Sequence, residues 1–367
     1  MPTLNAHAKI AFQDPARYLD KIITLLGDHD MKVDFVEGRY VAVSPYGISV
    51  VCAAANTLEI AIKAEDGASL NRLKNAFTGL IDFVARAEDP EITWNGDRAG
   101  DTWPPDFRVL TVAAICDLTP CMRRIRFTGE NLAHYDVQDQ LHCRLLFQNP
   151  SEQDPKWPRL GDNGRLVWPK GRQLASRIYT MRTVDAAAGT LEVDFYLHDA
   201  GGAGVEWARG VLPGAVAGLL GPGAHGAIPA KWNVYVGDET GLPGIARMIE
   251  ALPSDAEGVA LITIANEKEE QAIAAPEGVE LRWFYREGEG PDADDRLAAA
   301  FRAIQWPDNH QDSFFWCGSE YATFREVRRH LRETIKLPRN RQVAFSHWRL
   351  GLSNDDIIAE GGDVVSE

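Results

Sequence analysis

The segment after Trp232 restricts the fold more than any other part of the chain. Apolar runs at residues 233–237, 258–264, 280–284 and 313–317 read as strands, and helical periodicity covers 243–252, 293–303 and 321–334. Strands alternating with helices of this length close as a parallel sheet with crossover helices, because no tight turn reaches a parallel neighbour. Residues 106–230 have another texture. Short strands at 108–116, 121–128, 142–147, 176–183, 190–198 and 215–220, with turn residues between them, suit an antiparallel barrel or sandwich.

Residues 1–95 read as a separate α+β unit. Helices near 15–27 and 69–87 carry Tyr18, Leu19, Ile22, Ile23, Leu25 and Leu26 near a 3.6-residue period, then Leu70, Leu73, Phe77, Leu80, Ile81 and Val84 on one face. Strands are expected at 32–36, 39–43, 47–53 and 58–63. The polar run from Asn95 to Pro105 reads as a linker. A chain of 367 residues suits several domains, since single cores stop growing near ~250–300 residues. The expected boundaries are 1–95, 106–230 and 231–355.

Charge and cysteine content narrow the function. The formal net charge of −15 argues against a nucleic-acid binder, whose affinity rests on cations. No apolar run approaches the ~20 residues of a membrane span. The first residues lack the basic and apolar regions of a secretory signal. Five cysteines without a C-x-x-C are expected as reduced thiols in a cytoplasmic protein, and no His or Cys spacing proposes a protein-held metal.

The chemistry concentrates in Arg177-Ile178-Tyr179-Thr180-Met181-Arg182. On a strand, Arg177 and Tyr179 project the same way. A guanidinium there neutralises a diphosphate while a ring lies against a flat heterocycle. The Thr180 hydroxyl both donates and accepts, as a ring nitrogen that changes protonation state requires. Together they point to a flavin, the bland alternative being an exposed cross-strand pair. Sixteen residues after Arg182, His198 ends another strand-like run, followed by a glycine pair and Trp207, which alone fits core packing equally well.

Two glycine-rich segments need separate readings. Gly221-Pro222-Gly223-Ala224-His225-Gly226 spells a dinucleotide fingerprint, but that motif must open a helix directly after a strand. Here Ile228-Pro229 and the next strand follow, so it reads as a junction. Gly237-Asp238-Glu239-Thr240-Gly241-Leu242-Pro243-Gly244 is the better nucleotide site. It follows a strand, with Thr240 or Gly241 as helix cap and Pro243 in the first turn.

Taken in order, these segments resemble the siderophore-interacting, ferric-siderophore reductase family of the ferredoxin-reductase-like flavoenzymes. The resemblance is carried by Val167-Trp168-Pro169, the Arg177–Arg182 run, Asp194-Phe195-Tyr196-Leu197-His198, Trp207-Ala208, Gly221-Pro222-Gly223 and Gly237 to Pro243. The blocks Phe315-Trp316-Cys317-Gly318-Ser319-Glu320 and His347-Trp348-Arg349-Leu350-Gly351 complete it. It covers residues 106–352. Residues 1–95 look like a small domain of unknown function sometimes fused to these reductases. The resemblance implies an N-terminal α+β domain, then an antiparallel β-barrel FAD domain and a parallel α/β NAD(P)H domain. It further implies an FAD-dependent reductase that passes electrons from NADH or NADPH to Fe(III) in a siderophore. The alternatives are a flavin-dependent electron donor to a protein partner and a siderophore-binding carrier that does not reduce its cargo.

Carried onto this sequence, the resemblance implies that Arg177 and Tyr179 hold FAD, and that Tyr179 and Thr180 face its reactive ring. Arg182 and His198 would lie along the cofactor. Backbone amides of Gly202, Ala203, Gly204 and Val205 would cradle the diphosphate, and Trp207 would be a contact. Val205 stands where the family has a hydroxyl residue, a loss of about 1 kcal/mol of hydrogen bonding. Asp238, Glu239, Thr240, Gly241 and Glu320 would face the nicotinamide nucleotide. The acids after residue 264, Glu267 and Glu269-Glu270, favour a free ribose hydroxyl and hence NADH. Arg144, where the family has Lys, with His225 and Arg349, would attract the anionic chelate.

Overall fold

The computed structural model describes residues 3–28, 31–86, 88–97, 103–104, 106–148, 155–169, 174–198, 201–287 and 293–350. The chain divides into two compact units, Met1–Phe107 with Glu152–Leu174, and Arg108–Ser151 with Ala175–Glu367. Among the described residues no helix is long and apolar enough to cross a membrane.

The first unit is an antiparallel sheet with two helices on one face. Its strands are β1 (Leu4–Ala11), β2 (Lys32–Val36), β3 (Arg39–Ser44), β4 (Gly47–Ala54), β5 (Thr57–Ala64) and β6 (Trp94–Gly96), in the order β2-β3-β4-β5-β1-β6. Helices α1 (Pro15–Asp28) and α2 (Gly67–Val84) lie between β1 and β2 and after β5. Asp66 caps α2 by accepting from the amide and hydroxyl of Ser69 at 2.8 and 2.7 Å. The apolar stripe of α2 buries Leu70, Leu73, Phe77 and Ile81 against inward residues of β1 and β5. Register aligns Ala6 with Ile62, Ala8 with Ile60 and Ile10 with Leu58, all buried. The sequence reading omits β1, whose inward alanines carry little apolar signal.

The expected linker differs from what the structure shows. Its first residues belong to β6, which pairs with β1 and buries Trp94 to 1% exposure. The second unit opens with β7 (Phe107–Thr119), β8 (Met122–Gly129) and β9 (Gln140–Phe147), after which the chain re-enters the first unit. There β10 (Arg159–Leu160) and β11 (Leu166–Val167) form a short hairpin. The Thr78 hydroxyl donates to the Asn163 carbonyl at 2.9 Å and accepts from Trp94 Nε1 at 3.0 Å. The Trp94 amide donates to the Asp162 carbonyl, and Arg165 forks onto both carboxylate oxygens of Asp82. Gly164, at φ 74°, makes the turn; a Cβ there would meet the Thr78 hydroxyl at 2.8 Å.

The second unit continues with β12 (Ala175–Thr180), β13 (Thr183–Asp185), β14 (Thr190–Tyr196), helix α3 (Ala203–Gly210) and β15 (Val216–His225). The sheet order is β12-β9-β15-β7-β8-β14-β13. The sheet curls until β12 meets β14: the Tyr179 and Phe195 rings are 4.4 Å apart, and the Arg182 amide donates to the Glu192 carbonyl. Phe127, Phe147, Phe195 and Trp207 fill this barrel. Residues 221–225, within the literal glycine fingerprint, are part of β15, so no helix opens there.

The remainder is the expected parallel sheet, with strands β16 (Trp232–Gly237), β17 (Glu257–Ile264), β18 (Val279–Tyr285), β19 (Phe314–Glu320) and β20 (Gln342–Trp348). Its order is β18-β17-β16-β19-β20, and its helices are α4 (Leu242–Glu250), α5 (Ala293–Arg302) and α6 (Tyr321–His330). The interior strands β17 and β19 are buried almost end to end, as a parallel sheet covered on both faces requires. Buried Glu269 reaches back to the barrel hairpin and accepts from the Thr119 hydroxyl and the Cys121 amide.

Thr78→Val keeps the volume but strands the Trp94 indole N–H in a buried site. We expect it to lower stability by about 1–3 kcal/mol, read from the denaturant midpoint. An unchanged midpoint would separate the Asp162–Arg165 turn energetically from the first unit.

Candidate active site

The Arg177–Thr180 strand and the start of α3 come together. Gly204 has no side chain, and a Cβ there would lie 2.0 Å from the Tyr179 hydroxyl and 3.4 Å from Arg177 Cγ. Tyr179 is packed between Phe195 and Phe147, and burial pushes its hydroxyl pKa up, with Arg177 acting in the opposite sense. Gly202 precedes α3 at φ 120°, and no side chain caps the helix start. The start of α3 thus lacks a side-chain cap and has the Arg177 side chain close to Gly204, an arrangement that suits an anionic diphosphate. The residues present fit FAD: an uncapped helix start that Gly204 lets pack on Tyr179, with a cation and an aromatic ring on the adjoining strand.

The neighbouring candidates have other surroundings. Val205 is buried, and Trp207 stacks at 6.2 Å on Phe127 within the core. The His198 carbonyl accepts from Arg209, and its ring lies 5.8 Å from that of Tyr196. Arg182, 9% exposed, bonds Glu250 on α4 at 2.7 Å and lies 3.9 Å from Asp194. Its charge is thus met by protein carboxylates.

The second group gathers where the sheet changes direction. Strand order reverses between β16 and β19, and the crevice at their carboxyl ends is the usual ligand position in open α/β sheets. Asp238, 4% exposed, shapes it. Its Oδ1 accepts from the Thr240 amide at 2.8 Å and hydroxyl at 2.5 Å, and its Oδ2 from the Glu320 amide at 2.9 Å and Trp348 Nε1 at 2.8 Å. Gly241 caps α4, and a Cβ on it would collide with the Gly318 carbonyl at 2.1 Å. The early amides of α4 are satisfied internally: Gly241 and Leu242 donate to Asp238, and Gly244 and Ile245 to Gly241. Pro243 has no amide hydrogen, so this helix start offers shape rather than an open set of donors.

Glu239 is 2% exposed and paired with Arg286. Burial pushes its carboxyl up, and Arg286 opposes that push. Burial drives the nearby Tyr196 hydroxyl to about 12, with Glu239 adding to the rise. Glu320 caps α6 by accepting from the Ala322 amide, and it also accepts from the Leu350 amide at 3.0 Å.

The two groups meet at Thr180. The Cβ position of Gly244 on α4 is 3.6 Å from the Thr180 hydroxyl and 3.2 Å from the Trp316 ring. His142, 4% exposed, is the cross-strand partner of Thr180, and its ring lies 6.5 Å from Trp316 and 5.7 Å from Phe345. Gly244, Trp316, His142, Arg247 and Arg286 are additions to the sequence-derived set. Gly244 and Trp316 stood inside quoted motifs, but nothing in their spacing shows which barrel residue they face.

The chelate candidates are less concentrated. Arg144 is exposed on β9 and donates to the Ser176 hydroxyl at 3.2 Å. In register, Leu220 faces Arg144 while His225 faces Gln140, four residues away or about 13 Å along the strand. The His225 side chain lies outside the described set. Arg349 stacks on Tyr321 at 3.9 Å from the ring centroid.

Gly204→Ala should force Tyr179 off its packed position and lower stability by about 1–3 kcal/mol. Adding Tyr179→Phe removes the colliding atom, so the double variant should recover most of the loss in a denaturant titration. Simple additivity would refute the close approach.

An antiparallel barrel followed by this parallel sheet is the architecture that the sequence resemblance implies, and comparison with known proteins divides the chain in the same way. Residues 230–351 match the siderophore-interacting protein family and residues 111–226 the siderophore-interacting FAD-binding domain. Residues 7–95 match a family described as an uncharacterized protein conserved in bacteria (DUF2218). A siderophore utilization protein from T. fusca, known from its crystal structure, is 34% identical at TM-score 0.60, covering 68% of this chain and 94% of that one. Ferric vibriobactin reductase ViuB from Vibrio cholerae is 27% identical over 248 residues, 66% of this chain and 89% of its own. The NADPH-dependent ferric-chelate reductase of Escherichia coli (strain K12) is 29% identical over 248 residues, 66% and 92% of the two chains. The chain belongs to the siderophore-interacting protein family, with a DUF2218 domain preceding its FAD-binding domain.

Proposed function

We propose that the protein reduces Fe(III) held in an anionic siderophore, using a nicotinamide nucleotide as electron donor and FAD as bound cofactor. The observation that carries this reading is the meeting of Gly244 with Thr180, which joins the switch-point crevice to the end of the Arg177–Thr180 strand. FAD, when bound, links a two-electron hydride donor to a one-electron metal. The relatives named ferric vibriobactin reductase and ferric-chelate reductase support the same acceptor.

The chain's own residues supply binding and orientation. Arg177 and the uncapped amides of Ala203, Gly204 and Val205 hold the diphosphate. Tyr179 and Thr180 line the flavin ring, with the Thr180 hydroxyl as donor or acceptor to its reactive edge. Gly237–Gly241 and Glu320 shape the nicotinamide crevice, while Asp238 holds its loops in place. Arg144 and Arg349, with the titratable His225, are the residues proposed to draw an anionic chelate toward an otherwise acidic protein. Siderophore oxygens are hard ligands that hold Fe(III) far more tightly than Fe(II), so reduction releases the metal.

The lean toward NADH loses most of its basis. Glu269 faces the barrel hairpin and Glu270 accepts from the Tyr285 hydroxyl, leaving Glu267 exposed. The acids that suggested a ribose contact are largely committed elsewhere, so both nucleotides belong in the test.

Purified protein reconstituted with FAD should show a flavin spectrum that NADH or NADPH bleaches anaerobically. A ferric siderophore should then restore the colour with Fe(II) trapped by a chelator. Bleaching without recovery by any ferric chelate would point to a protein acceptor, and no flavin binding would sink the proposal. Arg177→Ala should lose most bound FAD while keeping the parent's circular dichroism; equal occupancy in both proteins would refute its role.

A further inference from the structure

One face of α4 meets three successive residues at the end of the β12 run. Gly244 lies against Thr180, Arg247 bonds Met181 and Glu250 bonds Arg182. The helix residues are three apart and so share a face, while the barrel residues are consecutive. Arg247 is the middle contact. It is 7% exposed, and its Nη1 donates to the Met181 carbonyl at 2.6 Å and its Nη2 to the Val137 carbonyl at 2.5 Å. Burial pulls its pKa below the usual arginine range, with Asp136 acting against that pull.

A buried guanidinium on main-chain carbonyls is a costly packing choice, since an apolar side chain fills the space without desolvating a charge. What arginine adds is geometry: a rigid fork that sets two acceptors at a fixed separation. Here the acceptors come from separate barrel segments, the residue after Thr180 and the loop before β9. We propose that Arg247 is a positioning residue that fixes the first turn of α4 against Thr180, with the Arg182–Glu250 pair as a second tie one turn further along. This deepens the proposed function and rests on it for its kinetic consequence. It also moves Arg182 from a cofactor contact to a tie between the barrel and the parallel sheet.

The test uses the full chain, its Arg247→Met and Arg247→Lys variants, and two readouts. With FAD bound, anaerobic mixing with saturating NADH or NADPH gives the limiting rate of flavin bleaching, and its concentration dependence gives nucleotide affinity. Arg247→Met should lower the limiting rate by roughly ten- to a hundred-fold, as a displacement of about 1 Å does, with nucleotide affinity and flavin occupancy near the parent's. Arg247→Lys, able to reach one carbonyl, should recover part of the rate. In calorimetry of the apoprotein, Arg247→Met should show one more unfolding transition than the parent, as barrel and parallel sheet uncouple. An unchanged bleaching rate in both variants, or an unchanged number of transitions, overturns the proposal. If Arg247→Met does not fold, the lysine variant decides by the same two readouts. If neither nucleotide bleaches the parent, the reductase reading fails and calorimetry alone decides the tie.

Discussion

The Asp238 carboxylate is the interaction on which the active-site half of the molecule depends. It is nearly fully buried, and its two oxygens join three strand ends: its own after β16, Glu320 at the end of β19, and Trp348 at the end of β20. The same side chain folds Thr240 and Gly241 into the turn that starts α4. Such a group is stable only because it accepts from several donors at once; losing one partner would leave buried charge poorly compensated. Everything downstream follows from that turn. It sets where α4 begins, so it sets which residues of α4 face the barrel and places Gly244 beside Thr180.

The two helix starts in the second unit divide the electrostatic work. α3 begins at a glycine with no side-chain cap, next to Arg177, so its amide dipoles are available to an anion. α4 begins with its donors already bonded to Asp238 and Gly241 and with proline in the first turn. An anionic group gains at the first end and finds few free donors at the second. In a protein of net charge −15, that local difference matters more than the overall balance. The proposed nucleotide crevice at the switch point therefore offers shape and nearby side chains, Glu239 with Arg286 among them, more than a helix dipole.

Local pattern made much of this legible. The alternation after Trp232 returned four strands and three helices of the parallel sheet, and residues 221–225 lie in a strand and open no helix, as the following Ile228-Pro229 implied. That Arg177 and Tyr179 share a side was also readable, because two-residue periodicity on a strand fixes direction, while their nearness to the glycine run at 202–204 was implied only by the family resemblance. What escaped were features set across sequence distance. β1 and β6 carry small or sparse apolar residues and are strands because β5 and β1 offer them edges. Arg182 looked like a cofactor residue from its motif; its partner Glu250 lies 68 residues away on a helix face that only the folded chain aligns. Glu269 read as a ribose contact for the same reason, since nothing local shows that it turns toward Thr119, 150 residues earlier.

The N-terminal unit shows how far a family boundary can differ from a physical one. The chain passes between the two units three times, at Phe107–Arg108, Ser151–Glu152 and Leu174–Ala175. The middle excursion supplies the Asn163 carbonyl to Thr78, the Asp162 carbonyl to Trp94 and the Arg165 fork to Asp82. These are buried or half-buried bonds that neither partner segment can make alone. The last crossing leads directly into Ala175 and β12, the strand that carries Arg177, Tyr179 and Thr180. Removing residues 1–95 would therefore do more than delete a domain. It would strip Thr78, Asp82 and Trp94 from their partners in residues 162–165, so the Asp162–Arg165 turn belongs to the same compact unit as the DUF2218 match although it lies outside that match in sequence.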